Sequence, residues 1–291
     1  MLVSLDYILI LLALIGSSVS AYIDLKTTEI PDEIPLAMFS TALLLRFGYS
    51  LFSGEWEYFL IPLAIGSGFF LFGMLMYFTG QWGGGDAKLL GAVGFMIGFL
   101  PGVVEDTFPP FFLNYLFNLF FIGAIYIIIY ALVVAVRNKK VRKGILEYLK
   151  KNKTELYIVV IFSLIFLFTM TYSFWSVFGT VELGLNFLFP FFLIGFYFLW
   201  VFLKCVERIG FMKRISTAEL KEGDMIGEDI RELNISKRLI RGLTKEEVRK
   251  IRKLKRRVWI REGVRFGPVF PISILVTLFY GNLMLVLLNL L

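Results

Sequence analysis

Apolar runs long enough to cross a bilayer recur from one end of this chain to the other. A helix needs roughly 20 such residues to traverse the hydrocarbon core. Eight spans are predicted, near Leu5–Ile23, Ile34–Phe52, Tyr58–Gly80, Leu89–Val104, Phe111–Val136, Leu156–Trp175, Leu185–Leu203 and Phe266–Leu291. The second is interrupted by Arg46, which must snorkel or find a partner. The fourth is short and carries Gly91, Gly94 and Gly98, a composition suited to close packing against a neighbouring helix rather than to facing lipid. With 58% hydrophobic residues the chain lies outside the range of soluble domains. The expected fold is an all-α polytopic membrane protein of about eight transmembrane helices, with a small cytoplasmic α+β module before the last helix.

The distribution of charge orients these spans. Nearly all lysines and arginines lie in two stretches, Arg137–Lys153 and Lys204–Arg265, which the positive-inside rule assigns to the cytoplasm. Threading back from them puts the N-terminus outside, Lys26 and Lys88 inside, and Glu55, Glu105, Glu182 and the C-terminus outside. Asp6, Glu55, Glu57, Glu105 and Asp106 are then expected to be solvated at the outer face. Met1–Ser4 carries no basic residue, so the first run reads as a retained span in the cell membrane rather than a cleaved signal. The net charge of +7 is accounted for by inner-leaflet anchoring, and no basic patch is interleaved with stacking aromatics, so nucleic acid is not an expected partner whereas the lipid bilayer is.

Three segments follow: a membrane core over residues 1–203 (spans one to seven), a basic cytoplasmic module over 204–265, and a last helix over 266–291 that returns to the core. Within the module, TAELKEGDMIGEDI alternates around glycines as a hairpin would. LTKEEVRKIRKLKRR opens with a Thr-x-x-Glu capping box and continues at helical spacing, and VWI reads as a short strand. Arg249, Lys250, Arg252, Lys253, Lys255, Arg256 and Arg257 are expected to lie against anionic headgroups.

The chain contains no histidine and a single cysteine, Cys205, which removes histidine triads, imidazole relays, disulfides and Cys-x-x-Cys metal sites from consideration. No cofactor or metal is expected. Chemistry falls instead to two aspartates at the ends of apolar runs: Asp24, which opens DLKTTEIPDEIP, and Asp86, which closes GGGD. Both are predicted at cytoplasmic helix ends, where a carboxyl group is costly to keep unless it has a function. Two like charges sharing a site cannot both ionise easily, so such a pair offers one carboxylate to deprotonate water and one protonated carboxyl to polarise a carbonyl. Which is acid and which is base stays open for a coupled pair. Gly83, Gly84 and Gly85 let backbone approach an extended peptide and are candidate partners for substrate backbone. Glu29, Asp32 and Glu33 lie on the loop beside Asp24; Asp32 is expected to cap the second helix, and the three together are candidates for binding a basic segment.

These segments resemble the GxGD membrane aspartyl proteases, and within them the type IV prepilin peptidase and archaeal preflagellin peptidase family. SAYIDLKTTEIPD is similar to the family's first-aspartate segment and GGGDAKLLGAVG to its second, which maps the catalytic pair onto Asp24 and Asp86. GVRFGPVFPISILVTLFYG is similar to the family's last span. The cysteine-bearing insertion of bacterial members is absent, which points to the archaeal or short-form branch without zinc. The Pro-Ala-Leu motif of presenilin-like proteases does not occur. The resemblance implies an aspartic-type endopeptidase that removes the short basic leader of type IV pilin-like or archaeal flagellin precursors at the cytoplasmic face. Two readings of another class stand beside it: a proton- or ion-coupled membrane transporter that relays ions through the two acids, and a noncatalytic scaffold.

Overall fold

The computed structural model describes residues 2–101, 103, 108–179, 183–236, 242–254 and 256–290. The chain divides into two compact units, one made of residues 1–127 and 214–291 and the other of residues 128–213.

The first unit opens with α1 (Leu2–Thr27), α2 (Glu33–Ser53), α3 (Glu57–Phe78) and α4 (Gly84–Ile97). Pro35 falls in the first turn of α2, where its missing N–H interrupts no helical hydrogen bond. The same helix stops at Gly54, whose φ of 78° lets its N–H return to Ser50 O at 2.9 Å. α3 and α4 pack so closely that their glycines leave no room for side chains. A Cβ on Gly73 would sit 2.8 Å from Ala87 Cα, and one on Gly91 would sit 2.8 Å from Phe70 Cβ. In lipid there is no hydrophobic drive between helices, so packing of this kind, made possible by small residues, is what holds such a pair.

α4 is shorter than the other expected spans. It has 14 residues, about 21 Å of helix, and among the described residues six helices are long and apolar enough to cross a bilayer; α4 is not one of them. Leu89, Leu90, Val93 and Ile97 are wholly buried, and α4 contacts α1, α2 and α3. A helix enclosed by protein does not have to match the thickness of the lipid. The last expected span is also not one straight helix: α10 (Val269–Tyr280) and α11 (Leu283–Leu290) meet at 46° across Gly281–Asn282. The backbone freed at that break is satisfied by asparagines. Asn118 Nδ2 donates to Gly281 O at 2.7 Å, its Oδ1 accepts from Leu283 N at 3.0 Å, and Asn282 Oδ1 accepts from Met284 N at 3.0 Å.

Arg46 has found partners rather than snorkelled. It is 2% exposed, and its guanidinium donates to the carbonyls of Phe95 (3.0 Å), Tyr58 (3.2 Å), Met96 (2.7 Å) and Phe99 (3.0 Å). Three of these cluster at the C-terminal end of α4, where helix carbonyls lack intrahelical donors and a cation is favoured. Asp6, expected to be solvated, is instead fully buried and close enough for its charge to act on Arg46. Glu55 and Glu57 are exposed, whereas Glu105, Asp106 and Glu182 lie outside the described residues.

The polar module, which lies in this unit from Arg214 onward, holds β1 (Met212–Ser216), β2 (Met225–Ile226), α9 (Lys245–Leu254) and β3 (Arg257–Arg261). The capping box is present, with Thr244 N to Glu247 Oε2 at 2.8 Å and Glu247 N to Thr244 Oγ1 at 3.3 Å. Within residues 217–230, where a hairpin is expected, β2 is the strand, and it pairs with β3 instead of within that stretch. The sheet order is β1-β3-β2, with Met225 opposite Arg261 and Ile226 opposite Ile260. β3 takes the central place and buries Val258 and Ile260 in a small core with Leu220, Ile230, Leu243 and Ile251.

The second unit contains the end of α5 (Phe111–Arg137), a basic amphipathic helix α6 (Lys139–Lys151), the apolar α7 (Lys153–Phe178) and α8 (Leu183–Cys205), which runs into a π-helical turn over Val206–Gly210. Cys205 is buried there beside Tyr197 and Val201.

Candidate active site

Asp24 lies in the last turn of α1 and is 6% exposed. Its Oδ2 accepts a hydrogen bond from the backbone N–H of Gly267 at 2.8 Å, a donor that belongs to the entry of the last span. Asp86 lies in the first turn of α4, partly buried, and its Oδ2 accepts from Gly83 N at 3.1 Å. A carboxylate in that position also complements the positive end of the helix. The two aspartates are near enough for the charge of one to act on the other.

The lysines nearest in sequence take other partners. Lys26 pairs with the hydroxyl and ring of Tyr22. Lys88 Nζ contacts Asp32 Oδ2 at 2.6 Å, joining α4 to the start of α2. Asp32 occupies the residue before α2 but makes no side-chain cap there; the ion pair with Lys88 holds it instead. Glu29 and Glu33 are exposed on the same loop.

The three glycines before Asp86 serve distinct ends. The N–H of Gly83 is engaged by Asp86 itself. A Cβ on Gly85 would fall 2.8 Å from Ile30 Cβ, so glycine is what lets the Asp86 loop close on the Asp24 loop. Gly84 faces the ring of Tyr77, with 3.5 Å available.

Sequence reasoning placed no role on Arg265, Phe266, Gly267, Trp82 or Tyr126, all of which line this region. Arg265 Nη1 donates to Leu25 O at 2.7 Å, and Tyr126 Oη donates to Arg265 O at 2.7 Å. Trp82 packs with Phe266 (ring centroids 5.6 Å apart), Phe120 (5.9 Å) and Phe270 (6.3 Å). The available signal was the Arg-Phe-Gly-Pro run at the head of the last apolar segment, since a glycine beside a proline there marks close backbone approach. Among the described residues no group of three or more Cys, Asp or Glu side chains could hold a metal ion.

The fold and this region define a polytopic helical membrane protein with two neighbouring carboxyl groups held by backbone N–H donors at helix ends. Residues 9–132, which include both aspartates, match the model of the type IV leader peptidase family. It is also similar to the prepilin peptidase EppA of Methanothermobacter thermautotrophicus, at 26% identity over 107 residues, 37% of this chain and 28% of that protein. The chain thus matches little more than a quarter of the length of that curated relative. No solved structure matches it.

Proposed function

We propose that this protein is a membrane aspartyl endopeptidase that removes the short basic leader from type IV pilin-like or archaeal flagellin precursors, with Asp24 and Asp86 as the catalytic pair. The observation that carries this reading is the pairing of two carboxyl groups, each with a backbone donor on one oxygen, inside the segment that matches a leader peptidase family.

The chemistry needs one proton between the two acids. The ionised carboxylate takes a proton from water as the water attacks the scissile carbonyl, and the protonated carboxyl donates to the carbonyl oxygen. The first acid then passes its proton to the departing amide nitrogen as the C–N bond breaks, while the second takes back a proton from the gem-diol hydroxyl, which regenerates the pair. Hydrogen bonds from Gly267 and Gly83 fix the oxygens they touch and leave the opposite oxygens for water and substrate. With the N-terminus outside and the basic stretches cytoplasmic, the site faces the compartment that holds the leader. Glu29 and Glu33, together with Asp32 when released from Lys88, attract its lysines.

The test is reconstitution of the full chain in lipid vesicles with a pilin-like or flagellin precursor, and mass measurement of the product. A single cut that leaves the hydrophobic segment with a new N-terminus is expected. Absence of any cut, with a proton or cation flux through the same vesicles, would replace the protease with a transporter.

A further inference from the structure

The link between the small sheet and the last span touches Asp24 and the segment that leads to Asp86. β3 ends at Arg261 and α10 begins at Val269; between them Arg265, Phe266 and Gly267 run past the site. Arg265 caps the end of α1 from outside, through Leu25 O at 2.7 Å, one residue beyond Asp24. Its own carbonyl is fixed by Tyr126 of α5 at 2.7 Å. Phe266 is 8% exposed and rests on Trp82, the residue immediately before Gly83, whose N–H is the donor to Asp86 Oδ2. The ring of Phe266 lies where Gly123 has no side chain; a Cβ there would be 2.8 Å from Phe266 Cζ. Gly267 then gives its N–H to Asp24 at 2.8 Å, and a Cβ at 267 would lie 3.0 Å from Asp24 Oδ2, 3.0 Å from Asp24 Cβ and 3.0 Å from Ala21 Cα.

We propose that Arg265–Gly267 is a positioning strap for the catalytic pair: it holds Asp24 directly through the Gly267 N–H and steadies the Asp86 loop through Phe266 on Trp82. This deepens the protease reading and rests on it. None of the strap's side chains takes part in bond breaking. Its work is geometric, because a carboxyl pair misplaced by a fraction of an ångström loses its alignment with water and carbonyl. Each of the three residues has its own holding partner, so the strap is fixed independently of substrate. It also makes the sheet module covalently continuous with the site, since only residues 262–264 separate β3 from Arg265.

The experiment has an activity arm and a geometry arm, both on the full chain in membranes. In the first, kcat and KM for precursor cleavage are measured for Gly267→Ala, Phe266→Leu, Trp82→Leu and Trp82→Phe at matched membrane levels. Gly267→Ala is expected to lower kcat about tenfold or more with KM little changed. The two leucine variants fall less, and Trp82→Phe recovers most of the loss because an aromatic face is restored. In the second arm, Cys205→Ser removes the single native cysteine. Ala21→Cys with Gly267→Cys is then oxidised and probed with a maleimide-polymer label, and protection of both thiols is expected. Wild-type kcat in Gly267→Ala and Phe266→Leu overturns the strap, as do two cysteines that remain open to label. Should Gly267→Ala fail to accumulate, Phe266→Leu and the Trp82→Leu and Trp82→Phe pair decide. Failure of the protease reading has a different sign, namely no cleavage by the wild type.

Discussion

α4 and α7 are both apolar helices, but their surroundings differ. α4 has 14 residues, and nine of them are buried against other helices. α7 has 26 residues, only 6% of its most apolar window is buried, and it turns Ile158, Ile161, Phe162, Ile165 and Phe168 outward. The length and composition of α7 answer to lipid, which asks only for apolar residues over sufficient length. α4 answers to its neighbours' backbones, which set both its glycines and its short length. The comparison separates a helix that positions a functional carboxyl from one that satisfies a solvent.

Substitutions should break this contrast unevenly. The largest effect is expected from Gly73→Leu or Gly91→Leu in the α3–α4 seam, where even a Cβ would come within 2.8 Å of a neighbouring carbon. Loss of folded protein from membranes is predicted, whereas Phe162→Leu or Ile165→Val on α7 should accumulate as wild type; immunoblot and size-exclusion profiles distinguish the two. Next comes Arg46→Met, which keeps the volume but leaves four carbonyls, three of them at the far end of α4, without their shared donor. A loss of about 3 kcal/mol is expected from groups that cost roughly 1–3 kcal/mol each when unsatisfied, read as a lowered Tm in detergent, with Arg46→Lys recovering part. Asn118→Leu at the broken last span should cost about 1–2 kcal/mol, since interhelical hydrogen bonds in membranes average only about 0.6 kcal/mol each. The smallest effect belongs to α7: Ser163 Oγ bonds only within its own helix, to Val159 O at 2.8 Å, and Ser163→Ala should stay within about 0.5 kcal/mol of wild type.

The same contrast explains what the sequence revealed. α1, α2, α3, α5, α7 and α8 were legible because lipid imposes a composition that needs no knowledge of neighbours. The glycines of α4 announced close packing, yet its failure to qualify as a span depended on being enclosed. Arg46 declared that it needed partners, but those partners are backbone carbonyls from Tyr58 onward to Phe99, and a carbonyl has no sequence signature. Asp6 read as a surface acid because nothing local marks its burial. At the site, Asp24 and Asp86 stood out as acids where apolar runs stop. The donor to Asp24 did not, because any residue but proline offers an N–H; only the approach of Asp24 and Ala21 to position 267 makes glycine necessary there. Asp32 had the residue type of a helix cap, and the fold gave it to Lys88 instead.

The central claim is that Asp24 and Asp86 act together in hydrolysis. Its most direct test is leader cleavage of a co-expressed pilin-like or flagellin precursor by wild type, Asp24→Asn and Asp86→Asn at equal membrane abundance. Asparagine keeps the size and removes the titrating proton. Each single substitution is predicted to reduce cleavage by roughly 10²-fold to 10⁴-fold or more. Cleavage at the wild-type rate by either variant would contradict the paired-carboxyl mechanism and remove that residue from it.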